Sequence, residues 1–219
     1  IELNWNHQQW WQLCQQLMQD NGNGNLGIYL HVTRGTDSKR HHAYPKGINP
    51  TVFAMTTDIP SPPIPSRDQI QPYKLSSMED MRWRRCHIKS VSLLGNVMHY
   101  QYGYQQGSDE VMLYNQNNEL TECGACNAFI VKHGVVITPP LDQQILPGIT
   151  RLIALDVLYK DESIRVEERV VTMEEVRTAD EIWITSSSKE IAPVIQLDSL
   201  PVGDGLVGPV WERAAKLYG

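Results

Sequence analysis

Trp10, Leu13, Cys14, Leu17 and Met18 recur at helical spacing, and Asn6 stands where a helix cap belongs. The pattern predicts a packing helix ended by Asn21-Gly22-Asn23-Gly24-Asn25, because glycine and asparagine tolerate left-handed backbone angles. The period then changes to two: Ile28, Leu30 and Val32 alternate with Tyr29, His31 and Thr33, which predicts a half-buried strand. A polar loop from Arg34 to Gly47 follows, and Val52, Ala54 and Thr56 predict a second strand. Ile59-Pro60-Ser61-Pro62-Pro63-Ile64-Pro65 cannot extend a sheet, since proline lacks the amide hydrogen that a ladder needs. It marks the passage between a small N-terminal subdomain, 1–65, and a larger strand-rich one, 66–219.

In the second part, Leu93, Leu94, Val97 and Met98 follow Lys89 at spacings predicted to bury one helix face and to fade near Gln105-Gln106-Gly107. Strands dominate afterwards. Val111–Tyr114 and Glu119–Thr121 flank Asn115–Asn118, and Phe129–Val131 and Val135–Ile137 flank His133-Gly134, two hairpin signals. Pro147 suits a first helical position, with Ile149, Leu152, Ile153 and Val157 as an apolar stripe behind it. Thr172 and Glu175 form a capping box for a short helix through Arg177. Ile182-Trp183-Ile184 leads into Thr185-Ser186-Ser187-Ser188; Val194, Ile195 and Leu197 predict a last strand, and Val210, Ala214 and Leu217 a closing helix. The succession predicts an α/β fold, or α+β by some conventions.

Composition narrows the function. The 219 residues are 41% hydrophobic and 20% charged, ordinary values for a globular chain, and no run approaches the roughly 18 apolar residues of a membrane helix. A net charge of -6 provides no general field for nucleic acid, and the Arg82, Arg84, Arg85 cluster reads as loop-to-core anchoring. Cys14, Cys86, Cys123 and Cys126 suit a reducing compartment, and a cytoplasmic location is expected. Cys123-Gly124-Ala125-Cys126 has no second ligand pair at zinc spacing, so it reads as a tight loop and no metal is expected. The chain opens on Ile1 with nothing resembling a signal peptide.

Four residues stand out chemically. Lys89, if its stem is packed against protein, is a desolvated amine able to attack a carbonyl and hold an aldehyde cofactor; otherwise it is a surface lysine near a helix start. Arg40, with His42, offers a fork suited to a carboxylate, or belongs to a solvated basic loop. Glu122, closing a strand, is by itself an ordinary solvated charge.

The segment Arg82-Trp83-Arg84-Arg85-Cys86-His87-Ile88-Lys89-Ser90-Val91-Ser92-Leu93-Leu94-Gly95 resembles the lysine-bearing segment of the class IV aminotransferases, pyridoxal-phosphate enzymes of fold type IV, and especially their D-amino acid transaminase branch. Thr121-Glu122-Cys123-Gly124 with Asn127-Ala128-Phe129, Leu146-Pro147-Gly148-Ile149-Thr150-Arg151, and Ile184-Thr185-Ser186-Ser187 with Glu190–Val194 resemble its later motifs in order. The resemblance implies that Lys89 carries pyridoxal 5'-phosphate and is the catalytic residue. It further implies that Glu122 faces the pyridine nitrogen, Leu146 packs on the ring, and Gly148, Ile149, Thr150, Ser186 and Ser187 hold the phosphate. Arg40 and His42 are similar to the branch's grip on the substrate α-carboxylate, and the loop that carries them implies a homodimer. Where the family has serines, Cys123 and Cys126 depart from it, and about the first sixty residues of the family pattern lie outside the match. Transamination between a D-amino acid such as D-alanine and a 2-oxo acid such as 2-oxoglutarate is the expected activity. A 4-amino-4-deoxychorismate lyase, a branched-chain amino acid transaminase and a non-catalytic binding protein on the same fold are the alternatives.

Overall fold

A computed structural model describes residues 1–22 and 24–219; Asn23, inside the expected helix-terminating run, lies outside them. The chain divides into two compact units, Ile1–Pro62 and Pro63–Gly219.

In the first unit, helix α1 (His7–Asn21) starts as its cap residue dictates: the Asn6 side chain accepts from the Gln9 amide, and the Gln9 side chain accepts from the Asn6 amide. Strands β1 (Leu26–Thr33) and β2 (Thr51–Asp58) pair antiparallel from Leu26 opposite Asp58 to Thr33 opposite Thr51. Val52, Ala54 and Thr56 alternate inward as expected, whereas Leu30 is exposed, so the alternation predicted for β1 fails in its middle.

The second unit is built on a nine-stranded mixed sheet. Its strands are β3 (Tyr73–Glu79), β4 (Glu110–Tyr114), β5 (Leu120–Cys123), β6 (Asn127–Lys132), β7 (Val135–Thr138), β8 (Arg165–Glu168), β9 (Glu181–Ser186), β10 (Glu190–Leu197) and β11 (Leu200–Pro201). The order is β5-β4-β3-β10-β9-β6-β7-β8, with β11 beside β10. Both hairpins form at the expected turns, and His133 (φ 51°) and Gly134 (φ 76°) supply the left-handed pair that a two-residue connection needs. Strand β3 was not foreseen in the sequence pattern. It carries few large apolar residues, and its extended form comes from parallel pairing on both sides, with β4 and β10.

Burial on both sheet faces explains the apolar runs of the central strands. Ala128, Ile130, Ile182 and Ile184 enter one core with Leu75, Met112 and Val194. Their neighbours Phe129, Val131 and Trp183 enter the other, under helices α3 (Ile149–Lys160) and α5 (Pro209–Tyr218). Short helix α4 (Met173–Arg177) starts at the Thr172–Glu175 capping box and buries Met173 and Val176 in the first core.

Two helices differ in phase from the expectation. Helix α2 (Leu94–Gln105) begins five residues after Lys89, and Leu93, Leu94, Val97 and Met98 are exposed, Leu94 at 73%. The inward face instead carries His99, whose Nδ1–H donates to the Gly95 carbonyl (2.6 Å) while Nε2 accepts from the Met81 amide (3.1 Å). It also carries Gly103, where a Cβ would come within 3.3 Å of the Glu110 carbonyl oxygen. Likewise α3 starts at Ile149 with Gly148 as its cap, leaving Pro147 just outside, and exposes Ile149, Leu152 and Ile153. It buries Ala154, Leu155 and Leu158 together with Arg151, which reaches the Pro139 carbonyl and Glu168. In both helices specific polar contacts and a close backbone approach set the rotation, which the apolar count alone could not reveal.

Helix α5 is held by a buried carboxylate. Glu181 accepts from the amides of Val210 (2.9 Å) and Trp211 (2.7 Å) at the helix start and from the Trp183 indole (3.0 Å). The group fits only because residue 208 is glycine; a Cβ there would lie 1.9 Å from the Glu181 carboxyl carbon. Glu181→Ala strands three donors and is expected to cost at least about 2 kcal/mol, read as a lower midpoint in guanidinium unfolding.

Candidate active site

One carboxylate gathers the site. Glu122, near the end of β5, is 4% exposed and uses both oxygens: Oε1 accepts from Arg82 (2.7 Å), and Oε2 from the Asn127 side chain (3.0 Å) and the Leu146 amide (3.0 Å). Three chain segments thereby converge on it: the lysine-bearing segment, the turn into β6, and the approach to α3.

Arg82 is shared. Its Nε and one Nη donate to Asp80 (2.9 and 2.7 Å), so two buried carboxylates lean on one guanidinium. Ionised together they leave one negative charge in excess in a low-dielectric setting. Burial pushes Glu122 up to about 7 against the opposing pull of Arg82 and the Leu146 amide, and Asp80 adds to the rise. Asp80 stays below its usual range because the Arg82 hydrogen bonds and charge outweigh its own burial. The arrangement favours a cation placed beside Glu122.

The segment from Asp80 to Leu93 is irregular but anchored at intervals. The Cys86 amide donates to the Gln143 carbonyl (2.8 Å), an Arg82 Nη to the Gln144 carbonyl (3.4 Å), and the Asn96 side chain to the Gly124 carbonyl (2.8 Å). Lys89 lies between these anchors. It is exposed, and not packed at its base as its place before an apolar pattern suggested. Its flanks, not a hydrophobic bed, hold its position, because the helix expected to shelter it starts later and turns its apolar side outward.

At the α3 entrance, Asn127 donates to the Leu146 carbonyl (2.9 Å) as well as to Glu122. A Cβ on Gly148 would fall 2.1 Å from Asn127 Oδ1, so glycine is required by close approach. No side chain caps the helix at Gly148, which leaves the first amides, including those of Ile149 and Thr150, open to an anion. Leu146 is half-buried, Thr150 buried and Ile149 exposed. Where β9 ends, Thr185 Oγ1 is buried without a partner, Ser186 is half-buried and Ser187 exposed. The Ser186 hydroxyl accepts from the Lys189 amide (3.2 Å).

Arg40 and His42 belong to the other unit, on the exposed loop between β1 and β2. Arg34 stacks on Tyr44 there at 3.7 Å, and His41 Nδ1 accepts from the Ala43 amide (3.2 Å).

Sequence reasoning passed over Asn127 as a tie between Glu122 and the α3 entrance, although it stood inside a recognised motif. Arg82 was read only as an anchor, and its pairing with Glu122 across 40 positions had no local signature. Cys123 and Cys126 are buried in one core. Burial and the Glu110 carboxylate push the Cys126 thiol up to about 12, and Cys123 rises well above its ordinary value for the same two reasons. Both are therefore inert packing groups at neutral pH.

A curled mixed sheet with loops converging on a buried carboxylate and an uncapped helix start defines a fold type IV enzyme. The model of amino-transferase class IV matches residues 1–197. The D-alanine aminotransferase of Listeria monocytogenes serotype 1/2a (strain 10403S) is 36% identical over 199 residues, 91% of this chain and 68% of that protein. Among solved structures, the Escherichia coli branched-chain amino acid aminotransferase superposes with a TM-score of 0.83 at 24% identity, covering 99% of this chain and 71% of that one. A second branched-chain amino acid aminotransferase, from T.th. and complexed with N-(5'-phosphopyridoxyl)-L-glutamate, gives 0.84 at 21% identity, covering 99% and 70%. The chain belongs to the class IV aminotransferases.

Replacing Arg82 with methionine leaves two buried carboxylates without their cation. A loss of about 3–5 kcal/mol is expected in urea unfolding. Gly148→Ala, which pushes Asn127 off Glu122, should lower the thermal midpoint while leaving far-ultraviolet dichroism unchanged.

Proposed function

We propose that the protein is a pyridoxal-phosphate-dependent transaminase that moves an amino group between a D-amino acid such as D-alanine and a 2-oxo acid such as 2-oxoglutarate. The observation that carries this reading is the Glu122 cluster, a carboxylate fixed by three donors with negative charge to spare. Such a group suits a protonated pyridine nitrogen. The open α3 start, the orphaned Thr185 hydroxyl and the adjoining Ser186 and Ser187 suit a phosphate, so the residues present fit the cofactor. Lys89 is its covalent attachment point, and Leu146 packs against its ring.

Bound there, the cofactor supplies an electron sink for charge released at the substrate α-carbon. Glu122 keeps the sink strong by holding a proton on the ring nitrogen. Lys89 Nζ, once freed, would take the α-proton as general base and deliver it as general acid to the cofactor's C4′, and its exposed setting gives it room to swing between those tasks. In this reading Arg40 and His42, on the loop that in the family reaches the neighbouring subunit's active site, supply charge-assisted hydrogen bonds that fix the plane of the α-carboxylate. Amino donor and oxo-acid acceptor use one site in turn, so ping-pong kinetics are expected.

The D-specific reading draws on the 36% identity to a D-alanine aminotransferase and on the Arg40–His42 pair. The enzyme acts as a homodimer in this reading, and the exposed apolar faces Leu94, Val97, Met98 on α2 and Ile149, Leu152, Ile153 on α3 support it. A cytoplasmic setting agrees with the free cysteines.

Pyruvate formation from D-alanine plus 2-oxoglutarate, measured beside pyruvate release from aminodeoxychorismate, tests the activity: turnover of the second substrate alone would transfer the assignment to the lyase. Borohydride treatment with added pyridoxal phosphate should leave a reduced adduct on Lys89 in peptide mass mapping, absent from Lys89→Ala. Because Glu122 of the unloaded protein takes up a proton as pH falls through about 7, and a cationic nitrogen competes with that proton, cofactor affinity should weaken on the acid side. The expected slope is about tenfold per pH unit below that point, relative to Glu122→Gln, in which this component is lost. A Leu94→Lys, Val97→Lys double variant should sediment as a monomer where the parent is a dimer.

A further inference from the structure

Asn127 opens β6 on the same sheet face as Phe129 and Val131, the face that α3 covers, and it is 5% exposed. Its side-chain nitrogen donates to Glu122 Oε2 (3.0 Å) and to the Leu146 carbonyl (2.9 Å). Both partners are acceptors, so only the nitrogen end of the amide, with its two protons, fits between them. Leu146 closes the ring of contacts. Its own amide donates to the same Glu122 oxygen (3.0 Å), and its carbonyl also accepts from the Gly148 amide (2.8 Å). The oxygen end of Asn127 is left against Gly148, where a Cβ would come within 2.1 Å of it.

A planar amide with both protons committed cannot follow one partner without releasing the other. If the start of α3 shifts, Leu146 and Gly148 shift with it and draw Asn127 away from Glu122. The two regions so joined are those that the proposed function gives to opposite ends of the cofactor: Glu122 to the ring nitrogen, the open α3 amides to the phosphate. Charge depends on the same contact. Burial raises Glu122, and each donor on its oxygens offsets part of that rise by favouring the ionised form. Without Asn127, Oε2 keeps only the Leu146 amide.

The geometry points to Asn127 as a positioning residue that links the two ends of the cofactor site, making the ionised, oriented state of Glu122 depend on where α3 begins. This rests on the transaminase reading above. A phosphate that fixes the first turn of α3 thereby also fixes the carboxylate that serves the ring nitrogen.

The test compares the parent with Asn127→Ala, Gly148→Ala and the double variant, with Glu122→Gln to mark the carboxyl signal. Proton uptake by Glu122 in the unloaded protein is followed by infrared difference titration, and pyridoxal phosphate affinity by absorbance over the same pH range. Loss of a hydrogen bond to the carboxylate predicts that the parent's midpoint, at about 7, rises by about one pH unit in Asn127→Ala. Gly148→Ala should raise it similarly, because its methyl group displaces the same amide, and the double variant should rise no further. Cofactor affinity should be about tenfold weaker than the parent's on the acid side of the parent's midpoint and approach it above the raised one. A midpoint unmoved in Asn127→Ala, an affinity loss equal at every pH, or shifts that add in full in the double variant each overturn the assignment. Should Asn127→Ala not fold, Gly148→Ala decides alone, and an unmoved midpoint there is the overturning result. If the midpoints move together but the parent takes up no pyridoxal phosphate, the transaminase reading fails, and the link between Glu122 and α3 stands.

Discussion

The second unit depends on a guanidinium with two carboxylates around it. Buried ion pairs are poor sources of stability, because removing charge from water costs nearly what the attraction returns. What the Asp80–Arg82–Glu122 group provides is convergence. The turn into β6, the lysine segment and the helix approach each reach Glu122 through a hydrogen bond of 2.7 to 3.0 Å. The group is also unbalanced, with more carboxylate than cation. An environment that strains to keep Glu122 ionised is one that a bound cationic nitrogen relaxes, so the same electrostatics that assemble the loops prepare them for a partner.

Helix rotation has the second largest consequence. Both helices beside the site turn apolar residues outward; inward, α2 places His99 and Gly103, and α3 places Thr150 and Arg151 beside Ala154, Leu155 and Leu158. On α2 an isolated chain gains little from that choice by hydrophobic burial, since only His99 and Gly103 are buried there. It becomes favourable when the exposed stripes meet another surface, and it leaves the inner faces free to brace β4, the Glu122 turn and the helix start.

Glycine does related work at three close approaches. Gly103 lets α2 settle on β4, Gly148 admits the Asn127 side chain, and Gly208 admits Glu181. None of the three needs a left-handed backbone; each is required for lack of a side chain, where a polar group must reach a helix or its start. Cys123 and Cys126 fit the same logic, as small apolar groups under a tight turn and not as reactive thiols.

Local chemistry determined much of this protein by itself. The Asn6–Gln9 and Thr172–Glu175 capping boxes, both hairpin turns and the central strands are short-range or period-two features, and short-range physics was enough to read them. The ordered motifs around Lys89, Glu122, Gly148 and Ser186 likewise identified the family from residue types alone. Tertiary structure decided the rest. It made a strand of Tyr73–Glu79 by pairing it on both sides, started α2 at Leu94 and turned its apolar stripe outward, and left Lys89 exposed between anchors. It also joined Arg82 to Glu122 and Asn127 to Leu146. The reason is common to all of these: partners far apart along the chain carry no mutual signal in a local pattern, and a helix's rotation is fixed by a few specific contacts whose identity only the folded arrangement discloses.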